Sequence, residues 1–223
     1  MGNVRERETE MKVGIFGSGM VAQTIGGKVA ELGHEVKLGT RDPGKPREWQ
    51  GKAGDRASVG SFAEAAAFGE ILFNCTAGSG SLEALGSAAK EELAGKILVD
   101  VSNPLDFSQG MPPTLFVCNT DSLGEQIQRA YPDTRVVKSL NTVTANLMVN
   151  PSALPGDHDV FVSGNDPEAK AKVTEILRDW FGWKSVIDLG DITSARTTEM
   201  LMPFWLRMWG IVGGPMFNYR IVR

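Results

Sequence analysis

Short apolar runs alternate along this chain with stretches in which apolar residues recur every three to four positions. The runs at 13–16, 35–38, 70–76, 96–101 and 135–140 predict buried strands. The intervening segments predict helices from Met20 to about Leu32, over 81–93 and over 122–130, with a short strand and helix over 58–67. Beyond residue 141 the same alternation predicts a strand at 159–163, a helix over 167–181 capped by Asn165 and Asp166, and a strand at 185–189. Strands that alternate with helices in this way give an α/β fold with a doubly wound, mostly parallel sheet. Ligands of such sheets sit beyond the carboxyl ends of the strands, so the turns at those ends are the ones to inspect.

The first of these turns reads Gly17-Ser18-Gly19-Met20-Val21-Ala22, a GxGxxA pattern between a strand and a helix. Gly17 allows the tight exit from the strand, Gly19 lets backbone approach a pyrophosphate, and Ala22 lets helix and strand pack closely. The amides at the helix start then face negative charge, which the helix dipole favours. Strand, turn, helix and following strand are all in place, and together they predict a Rossmann NAD(P)-binding fold.

The second strand ends at Gly39-Thr40-Arg41, where an NAD site would carry an acid for the ribose hydroxyls. A hydroxyl and a guanidinium suit a 2′-phosphate instead, because the planar N–H fork of Arg matches its oxygens. Lys45 and Arg47 follow and add positive charge, with Asp42 opposing it, so the predicted cofactor is NADP. Three later turns, Cys75-Thr76-Ala77-Gly78, Ser102-Asn103-Pro104 and Asn141-Thr142-Val143, place small or amide side chains after apolar strands. Such residues lie well against ribose and a carboxamide, since Asn both donates and accepts.

Acid–base machinery is not apparent. His34 falls in a helix–strand turn and His158 in a Gly/Asp loop, and both read as surface residues. Cys75 reads as an inert buried thiol and Lys138, inside the sixth strand, as structural; Tyr131 and Tyr219 stand away from the predicted strand ends. Neither a catalytic side chain nor a metal site is predicted. A hydride passing between two rings needs proximity and exclusion of water more than a proton donor, whereas carbonyl reduction would call for one.

The formal net charge of −4 and the lack of a basic cluster exclude a nucleic-acid surface. Two cysteines in 223 residues suggest no disulfide framework, and with no secretory signal apparent the expected location is cytoplasmic. Residues 1–10 read as a flexible polar arm and 11–223 as one domain. The segment 194–217 is crowded with Met, Trp and Leu, but Glu199, Pro203 and Arg207 interrupt it, so it reads as a buried helix and not a membrane span. It completes either an acceptor pocket or a homodimer interface.

The opening VGIFGSGMVAQTIGGKVAELGHEVKLGTRDP, the mid-chain VVKSLNTVTANLM and the closing PMFNYRIVR resemble the F420-dependent NADP oxidoreductase family, which includes the cytosolic domain of the Steap metalloreductases. The resemblance covers nearly the whole chain. It implies hydride exchange between NADP(H) and a small-molecule acceptor, F420, a flavin or a similar ring. It places Ser18, Gly19, Met20 and Val21 on the pyrophosphate, Thr40, Arg41 and Lys45 on the 2′-phosphate, and Thr76 and Ala77 near ribose and nicotinamide. The stretch from Asn141 to Ala145 borders the hydride-transfer face, and Gly17 and Asn103 complete the cofactor set. Two other readings stay open: an NADP(H)-sensing protein without turnover, and an NADPH-dependent imine or carbonyl reductase. Roughly 80 residues after the Rossmann core are few for the helical second domain that the latter carries.

Overall fold

A computed structural model describes residues 10–223; the expected N-terminal arm therefore lies outside the described residues except for Glu10, which pairs with Arg56. Among the described residues ten strands and ten α-helices follow one another: β1 Lys12–Phe16, α1 Met20–Glu31, β2 Glu35–Gly39, α2 Arg47–Ala53, β3 Ala57–Gly60, α3 Phe62–Phe68 and β4 Ile71–Asn74. Next come α4 Ser81–Gly86, α5 Lys90–Leu93, β5 Ile97–Asp100, β6 Leu105–Asp106, β7 Thr114–Leu115, α6 Leu123–Ala130, β8 Arg135–Ser139 and α7 Ala145–Val149. The chain closes with β9 Asp159–Gly164, α8 Pro167–Glu175, β10 Ser185–Asp188, α9 Ala195–Met200 and α10 Met202–Val212.

Eight strands form one sheet in the order β10-β9-β8-β5-β4-β1-β2-β3, and β6 and β7 form a separate antiparallel hairpin. Every neighbouring pair in the large sheet is parallel except β8 and β9. The chain leaves β1 toward β2 on one side and reaches β4 on the other, so the topological switch lies beyond the carboxyl ends of β1 and β4. Alternate side chains of the strands feed two cores. Val13, Ile15, Val36 and Leu38 face α1, where Ile25 and Val29 are buried, while Phe16, Leu72 and Leu98 face a second cluster with Phe62, Leu85 and Ile127. Burial on both faces is what makes these strands read as near-continuous apolar runs.

Caps set several helix starts. Ser61 and Glu64 form a reciprocal capping box on α3, Ser122 accepts from the Glu125 amide on α6, and Asp166 with Pro167 opens α8. The helix expected over 81–93 is broken into α4 and α5, since Gly86 and Ser87 are weak helix formers. Helix α2, the β6–β7 hairpin and α7 were not anticipated. α2 is held by Trp49, whose indole N–H donates 2.8 Å to the Gln23 carbonyl.

Two histidine expectations are corrected. Gly33 turns with φ 96°, which brings His34 under the molecule: it is buried, its ring centroid 4.2 Å from that of Trp180, and its Nδ1 accepts from the Met11 amide. His158 is half-buried and edge-on to Trp183. The tail also differs from the single buried helix expected. It bends at Leu201 ahead of Pro203, and in α10 only Met202 and Trp205 are buried while Phe204, Trp209, Ile211 and Val212 are exposed. Among the described residues no helix is long and apolar enough to cross a membrane.

Candidate functional site

The turn after β1 has the geometry that its glycines predict. Gly17 sits at φ 121°, a region that L side chains rarely adopt, and a Cβ there would lie 2.8 Å from the Cys75 carbonyl oxygen. Its N–H donates 2.9 Å to the Gly39 carbonyl, tying the turn to the end of β2. A Cβ on Gly19, by contrast, would meet nothing within 4 Å, so the helix entrance is open. No side chain caps the start of α1 and its first turn carries no acid. The first amides of a 12-residue helix therefore face outward with only the dipole behind them, which suits a pyrophosphate. Met20 is exposed at this point, Val21 is half-buried, and Ala22 is buried against the core.

Ser18 and Thr40 join the first two strand ends, their hydroxyls 2.9 Å apart and both residues buried. The Thr40 hydroxyl also accepts from the Asp42 amide at 3.1 Å. It is thus committed within the turn, and Arg41 and Lys45 are the exposed cations at the mouth. Arg41 is 3.5 Å from Glu83 on α4, an exposed pair across the end of the cleft. Arg47 begins α2, and the exposed Asp42 accepts 2.9 Å from the Gly44 amide.

Beyond β4, the Thr76 hydroxyl donates 2.7 Å to Asn74 Oδ1 and lies 2.9 Å from the Ser81 hydroxyl, while Ala77 is exposed. Burial, and secondarily the Asp100 carboxylate, push the Cys75 thiol up, so the sulfur stays protonated. Asn103 and Asn141 bond reciprocally across the turns that follow β5 and β8. Asn103 Nδ2 donates 2.8 Å to the Asn141 carbonyl, and Asn141 Nδ2 donates 2.9 Å to Asn103 Oδ1. Leu140 before it adopts φ 62°, a strained setting for a non-glycine that directs the chain into this clasp. Ala145 is buried as the first residue of α7, which packs against α1.

Sequence reasoning missed the groups beneath these turns. Lys138 is fully buried, with its ammonium 2.8 Å from Asp100, 2.8 Å from Glu199 and 2.6 Å from the Ser102 carbonyl. Asp100 also accepts from Asn74 Nδ2 at 2.9 Å and from the Ser102 hydroxyl at 2.7 Å. Glu199 reaches from α9 to the start of α6, where it accepts from the Leu123 and Gly124 amides at 2.8 and 3.0 Å. Burial opposes the charge on Lys138, but the two carboxylates outweigh it and hold the ammonium above its ordinary range. A signal did exist: Asp100 and Lys138 each interrupt an apolar run, Glu199 stands at the head of one, and charges placed in a core must pair.

Next to Thr76 and Ala77 lies a cavity of about 500 Å³ walled by Gly78, Leu82, the β6–β7 hairpin and the first turn of α6. Leu105, Phe107, Phe116 and Leu123 supply most of its apolar lining. The open α1 entrance and this mostly apolar cavity thus share one edge of the sheet.

Comparison with known proteins agrees with this geometry. Residues 12–104 match the family model described as NADP oxidoreductase coenzyme F420-dependent. A solved protein from Arthrobacter sp. FB24, provisionally described as an F420-dependent NADP-reductase, is 51% identical and superposes with a TM-score of 0.92, covering 96% of this chain and 100% of that one. The metalloreductase STEAP3 of Rattus norvegicus is 32% identical over 87% of this chain, and the F420-dependent NADP reductase of Methanocaldococcus jannaschii is 33% identical over 51%. The alignments span 38% and 51% of those two relatives' own lengths.

Proposed function

The chain belongs to the family of F420-dependent NADP oxidoreductases, and from that premise we propose that it moves a hydride between NADP(H) and a flavin-like or deazaflavin acceptor by positioning two rings, without a side-chain acid or base. The observation that carries this reading is the bare α1 entrance, whose Gly17 turn abuts the Cys75 carbonyl, with the mostly apolar cavity that begins at Gly78 just beyond. Bound NADPH would supply the hydride; the chain supplies the placement of the two rings.

In this proposal the amides of Ser18, Gly19, Met20 and Val21 hold the pyrophosphate, with Gly17 setting the turn. Arg41 and Lys45 hold the 2′-phosphate, and Thr40 serves by locking the turn through Ser18. Thr76 and Ala77 line the ribose, and the Asn103–Asn141 clasp with Ala145 behind it forms the floor under the nicotinamide. Among the described residues Asp106 is the one titratable side chain that lines the cavity. Hydrogen bonds from Ser108 hold its carboxyl below the usual range, so it has no proton to give at neutral pH. Two cysteines without a disulfide partner suit a reducing cytoplasm, and the exposed apolar face of α10 suits a homodimer contact.

NADPH oxidation followed at 340 nm against F420, FMN, FAD, a ferric chelate and small carbonyl compounds, with NADH as control, tests the reading. Turnover with F420 or a flavin is expected. Turnover confined to carbonyl compounds contradicts it, and tight NADPH binding with no turnover at all makes the chain a sensor.

A further inference from the structure

We infer that the cavity beside Thr76–Gly78 takes an uncharged planar two-electron acceptor, a flavin or quinone ring without phosphate or carboxylate groups. This rests on the hydride-transfer reading above and narrows its substrate class.

The lining argues for the ring. Leu82, Leu105, Phe107, Phe116 and Leu123 supply apolar contact, and Ser79 and Gln126 supply a few polar groups. That mixture, in a space of about 500 Å³, is typical of a small aromatic ligand site. The charges argue against an anion. Asp106 lines the cavity, and its Oδ1 accepts from the Ser108 amide at 2.8 Å. The guanidinium groups on the surrounding elements are already engaged: Arg129 holds Asp121 with two bonds of 2.9 and 2.7 Å, Arg196 donates 2.8 Å to Glu125, and Arg41 is assigned above to the cofactor's own 2′-phosphate. Lys138 lies below the site with two buried carboxylates. Among the described residues of these walls, then, no cation stands free for an acceptor's phosphate. The phosphates of NADP at the α1 entrance add further negative potential. An anionic acceptor is repelled by unit charges in partly solvated surroundings, an effect of about threefold to tenfold that salt screens.

The chemistry balances with what this site would hold. The C4–H bond of NADPH breaks and a C–H or N–H bond forms on the acceptor ring with the same electron pair. NADPH is oxidised to NADP⁺, the acceptor is reduced by two electrons, and water at the open mouth provides the one proton that completes the dihydro form.

Riboflavin and FMN share one ring system and differ by a phosphate, which makes them the probes. Each is titrated by flavin fluorescence into protein saturated with NADP⁺, and each is then tested in NADPH oxidation beside menadione and F420. Riboflavin is expected to bind and turn over several-fold better than FMN at low ionic strength, with the ratio falling toward one in Asp106→Asn and in 0.5 M salt. FMN or F420 performing as well as riboflavin in the unmodified protein overturns the inference. Preferential riboflavin binding without oxidation of NADPH by any of the four overturns the hydride-transfer reading and leaves the neutral preference of the cavity standing. Failure of both flavins to bind, with F420 oxidising NADPH, does the reverse.

Discussion

Two helices start at the same edge of the sheet, and they treat their free amides in opposite ways. At α1 the amides are bare: no cap, no acid in the first turn, and open space over Gly19. At α6 the chain fills the position itself, with the Glu199 carboxylate on the Leu123 and Gly124 amides and the Lys138 ammonium behind it. The physics is the same at both, since helix N-termini attract anions. What differs is where the anion comes from. An internal carboxylate makes α6 part of the framework, and the absence of one at α1 leaves amides open to an outside anion, the place we propose for the cofactor's phosphates.

Breaking the closed end should have the largest effect. Glu199→Ala strips two amides of their acceptor and leaves the buried Lys138 with one carboxylate, a loss of about 3–5 kcal/mol for a broken buried pair. Urea unfolding should register it, and Glu199→Gln, which keeps an acceptor oxygen, should lose less. Closing the open end is the converse test. Gly19 has the extended ψ of a cap residue, so Gly19→Asp should stabilise α1 by a few tenths of a kcal/mol. It should also remove about 3 kcal/mol or more of NADPH binding, because the new carboxylate takes the phosphate's amides. A melt and a calorimetric titration on one sample read both changes.

A smaller effect separates the cofactors at the same open end. Arg41→Ala should weaken NADPH by about 1.5–3 kcal/mol, the value of a charge-assisted contact, and leave NADH nearly unchanged. Equal losses for both cofactors would remove Arg41 from the 2′-phosphate. The smallest effect concerns acid stability around α6. Hydrogen bonds from Arg129 hold Asp121 at about 2, below its ordinary 3.8. A carboxyl lowered in the folded state contributes stability above its unfolded value and loses it as pH falls toward 2. Since Arg129 is largely exposed, that contribution is below about 1 kcal/mol, and Asp121→Asn should flatten the stability profile between pH 4 and 2 by no more than this.

The open end was legible in the sequence because everything that makes it is local. A strand, a Gly turn and a periodic helix lie within residues 12–31, and the Arg at the end of β2 follows a few residues on. The closed end was not legible, because its bonds cross 38 residues from Asp100 to Lys138 and 76 from Leu123 to Glu199. Lys138 read alone looked structural and Glu199 looked like an interruption of the apolar tail, and nothing local joined either to Asp100. Fold class came through for the same reason that the strands did: burial on both faces writes continuous apolar runs. The β6–β7 hairpin has two-residue strands too short to show a period, and it walls the cavity, so the side proposed for the acceptor was the least visible. In the tail, composition suggested burial, yet an 11-residue helix with apolar residues all round cannot hide them all against one sheet.

Amide chemical shifts on adding NADP⁺ to the isotopically labelled protein test the contrast between the two helix starts most directly. Large shifts at Gly19, Met20 and Val21, with Leu123 and Gly124 nearly still, are the predicted result. Shifts at Leu123 and Gly124 with none at the start of α1 would contradict the account.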